Sequence, residues 1–241
     1  MLEITRRTMM KGMTLGAALP VLGATTLAQA QQQNISEIPD AFNNDHIVKP
    51  LSFDPADLDG LSERLIMSHW QNNYSGSVAA LNVIKQRLVA ALADDALPAY
   101  VYNDLKREHL LRTGSVVLHE LYFDNIRAMQ SRDSELDRAL GSAFGSAQMW
   151  EKEFRRIAAG LGGGSGWVML GWNTHAGTLE NYWMADHMHA PVAVRPIVVM
   201  DMYEHSYHMD FGADAAQYIE AFMRNIHWGV AAERLSIARQ V

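Results

Sequence analysis

Two long stretches of helical periodicity, 62–93 and 99–129, follow one another with only Asp94-Asp95 and Pro98 to separate them. In the first, Leu65, Ile66, His69, Val78, Leu81, Ile84 and Leu88 recur at helical spacing behind a start signal at Ser62-Glu63-Arg64. The second runs through Leu105, Leu110, Leu111, Val116, Val117, Leu118 and Phe123. So short a break turns the chain back on itself, and 51–132 is expected to form an antiparallel helical hairpin. Gly114 and Ser115 fall inside the second helix and permit close approach of another element or a ligand.

Past Ser131-Arg132-Asp133-Ser134 the pattern changes. Helical spacing over 135–159 leads to a Gly-rich run at 160–166, three strand-like runs at 167–172, 179–184 and 192–200, and helical spacing again over 215–237. The fold class is therefore α+β: the hairpin, then a mixed domain over 133–241 with a small antiparallel sheet flanked by helices. The Gly run lacks a following Lys-Ser/Thr and precedes a strand, so it is a turn and not a phosphate loop.

The start of the chain is an address. Thr5-Arg6-Arg7-Thr8-Met9-Met10-Lys11, an apolar stretch over 12–27 and Ala28-Gln29-Ala30 follow the order of an export signal, cut after Ala30. The paired arginines indicate the twin-arginine route, hence a periplasmic or otherwise exported protein. The apolar stretch is rich in Gly, Ala and Thr and falls short of the ~20 strongly apolar residues of a span, so no stable membrane anchor is expected after cleavage. Residues 31–50 are polar and aperiodic, a flexible lead or a surface arm.

The formal charge of −7 argues against nucleic acid as a partner. Removal of 1–30, with Arg6, Arg7 and Lys11 against Glu3, leaves the remainder more acidic still. The chain has no cysteine, which excludes thiolate catalysis, disulfides and Cys-ligated metals. Ten histidines remain available to hold a metal.

The densest candidate site is Asp201-Met202-Tyr203-Glu204-His205, directly after the β-branched Ile197-Val198-Val199. Polar side chains after an apolar strand emerge at the rim of the sheet, and Asp and His four apart can face one ion. His69 and His119 lie mid-helix in the two arms of the hairpin, where antiparallel packing brings such positions opposite one another. Three imidazoles and one carboxylate suit a first-row transition metal with an open position, and zinc also satisfies the ligand chemistry alone.

At this point a resemblance is specific. Leu61-Ser62-Glu63 through His69-Trp70-Gln71-Asn72-Asn73-Tyr74 and Leu81-Asn82 resembles the first helix of iron/manganese superoxide dismutases, and His119-Glu120-Leu121-Tyr122-Phe123 their second ligand helix. Phe144-Gly145-Ser146, Gly164-Ser165-Gly166-Trp167 and Asp201-x-x-Glu204-His205-x-Tyr207 follow in the order found in that family, so the similarity runs from about Pro50 onward. The resemblance implies that His69, His119, Asp201 and His205 hold one iron or manganese ion, and that superoxide is the substrate, converted to oxygen and hydrogen peroxide. It implies that Trp167 walls the pocket and that Glu204 reaches His205 of a second subunit in a homodimer, the alternative for Glu204 being an exposed acid beside a ligand.

Several neighbours of the implied centre depart from the family pattern. Ser77 stands for the usual tyrosine, Asn73 for a histidine, Tyr203 for the tryptophan between Asp and His, and His208 for a tyrosine. Asn72, Gly212 and Ala215 occupy the places of anion-guiding basic residues, and no replacement cation is evident from sequence. The outer amide that distinguishes iron from manganese aligns with Ser115, too short to reach a bound solvent, or falls within Asp186-His187-Met188-His189, where His187 is the expected hydrogen-bonding residue and His189 the next. These departures leave two alternatives: a metal-binding member of the fold with little dismutase activity, or another metal-dependent oxidoreductase.

Overall fold

A computed structural model describes residues 39–128 and 130–240. The expected export segment at 1–30 and the first part of the expected polar lead lie outside the described residues. The described part of the lead runs along the hairpin. His46 N–H donates to Asn82 Oδ1 at 3.0 Å, Lys49 N–H donates to the Tyr74 hydroxyl at 2.9 Å, and that hydroxyl donates to Glu120 at 3.0 Å.

The first arm is α1 (Glu63–Ser68) and α2 (Ser75–Leu92), joined by a π-helical segment, His69–Tyr74. The Ser62 side chain caps α1 by accepting Leu65 N–H at 3.1 Å. A π turn adds a residue to the helical repeat and occurs frequently at functional sites; here it starts on His69. The second arm is α3 (Ala99–Asp124), packed against α2. It ends earlier than the expected 129, because the Asn125 side chain is fully buried and taken by another element. Its Oδ1 accepts Val199 N–H at 2.8 Å and its Nδ2 donates to Ile197 O at 3.2 Å, closing the edge of a strand.

The expected helix over 135–159 is two, α4 (Ser134–Phe144) and α5 (Ala147–Leu161). Gly145, at φ +85°, ends the first, and the Ser146 side chain caps the second on Met149 N–H at 3.1 Å. The sheet has β1 (Trp167–Asn173) at its centre, β2 (Thr178–Met184) on one side and β3 (Val194–Asp201) on the other, all antiparallel. After a short α6 (His208–Phe211), the expected 215–237 helix is again split, into α7 (Ala215–Arg224) and α8 (Trp228–Ala238). The cause is an isolated bridge from Ile226 to Ile126 with His227 N–H donating to Asn125 O at 2.7 Å.

The hairpin and the sheet share one buried core, from Leu65, Ile66 and Tyr122 through Trp150 and Phe154 to Val198, Tyr218 and Phe222. Register sets the position of the site. Trp167, the first residue of β1, pairs with Asp201, the last of β3, at the sheet end that meets the hairpin helices.

Candidate metal centre

His69, His119, Asp201 and His205 come together, and one potential ligand atom from each lies within 4.8 Å of all the others. Asp201 Oδ2 is the common point: His69 Nε2 is 3.1 Å from it, His205 Nε2 3.2 Å and His119 Nε2 3.7 Å. Asp201 is fixed on the other sides. Its Oδ1 accepts Tyr203 N–H at 2.8 Å, and its main-chain oxygen accepts from the Tyr218 hydroxyl at 2.7 Å. One carboxylate oxygen is thereby left to face three imidazoles.

The imidazoles of His69 and His119 are prepared as neutral lone-pair donors. His119 Nδ1–H donates to Ser115 O at 2.6 Å, one helical turn back, which places the lone pair on Nε2. Burial holds His69 below the usual imidazole range and pushes His119 down to about 3. Burial alone would raise Asp201, but the charge and hydrogen bond of His205, with His69 behind them, keep its carboxyl well below the carboxylate range.

A metal ion fits these residues on two counts. His69 Nε2 and His119 Nε2 are buried without hydrogen-bond partners, an unfavourable state for polar atoms unless something accepts their lone pairs. Among the described residues no Lys or Arg pairs with the fully buried Asp201, so its charge calls for a cation in the cluster.

The residues around the cluster separate into near and far. Trp167 is fully buried with its ring 5.3 Å from His119, and its indole N–H donates to His187 Nδ1 at 2.9 Å. His187 stacks on Tyr203 at 4.8 Å and 9°. Burial lowers the His187 pKa and raises the Tyr203 hydroxyl to about 12, so both are neutral near pH 7. His189 instead donates from Nδ1 to Asp186 Oδ1 at 2.8 Å and is largely exposed. Ser77 and Ser115 are both buried and bonded to one another at 2.8 Å. Glu204 is exposed and His208 lies on the surface.

A cleft of about 440 Å³ reaches the cluster from outside, with Asn73, Ser77, Arg112, Ser115, His187 and Tyr203 on its walls. A larger groove of about 570 Å³, beside Arg195 and Arg234, holds none of the four clustered residues. Arg112 was missed in the sequence. The available signal was its place on the His119 face of the helix, two turns earlier.

Residues 132–234 match the iron/manganese superoxide dismutases, C-terminal domain. The chain is 49% identical over 191 residues to an Fe superoxide dismutase of Cupriavidus metallidurans, covering 79% of this chain and 96% of that one. An Fe superoxide dismutase of Aquifex aeolicus is 31% identical, with 76% and 88% covered, and an Mn superoxide dismutase of Halobacterium salinarum is 25% identical, with 82% and 98% covered. The chain belongs to the iron/manganese superoxide dismutase family.

Proposed function

We propose that this chain is a superoxide dismutase, with one iron or manganese ion held by His69, His119, Asp201 and His205. The observation that carries the reading is the convergence of three imidazoles, those of His69 and His119 buried and neutral, on Asp201 Oδ2 at the end of an open cleft. When bound, the ion supplies one-electron chemistry, oxidising one superoxide to oxygen and reducing the next to peroxide. The four side chains would hold it at the end of the cleft that His119 and His205 help to line.

The surrounding residues orient and hold protons. The indole of Trp167 is a donor only, so His187 Nδ1 is an acceptor and the neutral ring carries its proton on Nε2. His187 is then a hydrogen-bond donor on the cleft wall, in the role that the short Ser115 cannot fill. Tyr203 keeps its hydroxyl proton through the physiological range and packs against both His187 and His205. Trp167 excludes water behind the ligands. Gly114 makes this arrangement possible: a Cβ there would stand 1.9 Å from His187 O, so only glycine lets the His187 loop lie against α3.

The same reading includes a homodimer in which the exposed Glu204 meets His205 of a second copy, supported by the adjacency of that acid to a partly exposed ligand. It also includes export by the twin-arginine route, supported by Arg6-Arg7 and the apolar run behind them. Superoxide turnover by purified, metal-analysed protein tests the activity. Decay at the spontaneous rate with a full iron or manganese complement would overturn it in favour of a metal-binding protein without dismutation.

A further inference from the structure

The substrate in this reading is a small anion and the protein is acidic, −7 overall, so net charge opposes the encounter and only a local field can reverse it. Among the described residues lining the cleft, Arg112 is the one with a permanent positive charge. It stands on α3 two helical turns before His119, on the face shared by Ser115 and His119. Its guanidinium is partly exposed and has one carboxylate neighbour, Glu108, 3.3 Å from Nη2. Glu108 is a turn further from the ligands and is not part of the cleft wall. The pair therefore points its positive end inward. Arg112 lines the same cleft as His119 and His205, so its charge faces the space through which an anion reaches them.

We propose that Arg112 is the electrostatic guide of the cleft, drawing small monovalent anions toward the face left open by the four ligands, and that Glu108 attenuates it. The inference rests on superoxide as substrate for its biological meaning, but the recognition itself is of a small anion by a focused charge. Exposed pairs such as Arg112–Glu108 are weak. Glu108 thus reduces the field without locking the guanidinium away. Screening follows: with a Debye length of ~10 Å at 0.1 M salt and ~3 Å at 1 M, the effect should fade as salt is added.

The test compares iron-loaded wild type, Arg112→Gln and Glu108→Gln, each with its metal content measured. Azide affinity is read by optical titration and the second-order rate for superoxide by stopped flow, at low and high salt. For a single charge at the rim of a cleft, Arg112→Gln should lower both quantities roughly two- to five-fold at low salt. Glu108→Gln should raise both, and the three proteins should converge at high salt. Equal azide affinity in wild type and Arg112→Gln, with the same salt dependence and full metal, would overturn the inference. If wild type shows no superoxide turnover, the proposed function fails, and weaker azide binding by Arg112→Gln still supports the guide.

Discussion

Trp167 donates its indole N–H to His187 Nδ1 at 2.9 Å, and the same indole packs edge-on against the ring of His119. One side chain thus orients a candidate ligand by packing and the outer donor by a hydrogen bond. Trp167→Phe keeps most of the packing and removes the bond. Outer partners of metal sites typically matter by 10- to 100-fold, so superoxide turnover per bound metal should fall by about 10-fold or more. Unchanged turnover per metal would show that His187 needs no fixing.

Gly114→Ala tests the approach of the His187 loop to α3. A Cβ 1.9 Å from His187 O and 2.9 Å from its carbonyl carbon meets backbone, which can yield only by moving the loop. Overpacking of this kind costs about 1–3 kcal/mol, against a helix-propensity gain of up to about 1 kcal/mol. The variant should be less stable in urea, and the Trp167 indole N–H resonance should shift. A stabilised variant with that resonance unmoved would contradict the assigned contact.

Ser115 offers His119 both a carbonyl oxygen at 2.6 Å and a hydroxyl at 3.3 Å, and the hydroxyl is also bonded to Ser77. Ser115→Ala leaves the carbonyl in place. It should cost about 1 kcal/mol in stability from the unpaired Ser77 hydroxyl, with metal content unchanged. Loss of metal would mean that the hydroxyl, not the carbonyl, sets the ring.

The metal-free protein should weaken as pH falls from 7 toward 5.5. His119 has a folded pKa of about 3 against 6.5 for the free group, so the unfolded chain binds the proton more readily and stability is lost below 6.5. Over that interval His119 alone accounts for about 1 kcal/mol, from ~1.4 kcal/mol per unit once the unfolded group is titrating. Denaturant midpoints of metal-free wild type and His119→Gln check this: the variant should show a shallower pH slope.

The grouping of His69, His119, Asp201 and His205 was legible because hairpin geometry and strand ends leave marks at fixed spacing, and the family resemblance joined them into one set. His69 and His119 stood mid-helix, and Asp201 followed a β-branched run. What did not show is set by tertiary contact. The π turn that begins at His69 has no propensity signature, and α3 stops at Asn125 because β3 requires an edge partner. Gly145 and Ser146 signalled a break that the apolar periodicity of 135–159 concealed. Arg112 shares the His119 face two turns earlier, a sign present in the sequence, but the cleft along that face is completed by His187 and Tyr203, which only the fold brings there.

Whether the four-residue centre converts superoxide is read from the rate of superoxide decay measured against bound iron or manganese across partially loaded samples. The rate should start at the spontaneous value with no metal and rise in proportion to occupancy of the centre. A rate that stays at the spontaneous value as the centre fills would contradict that conversion.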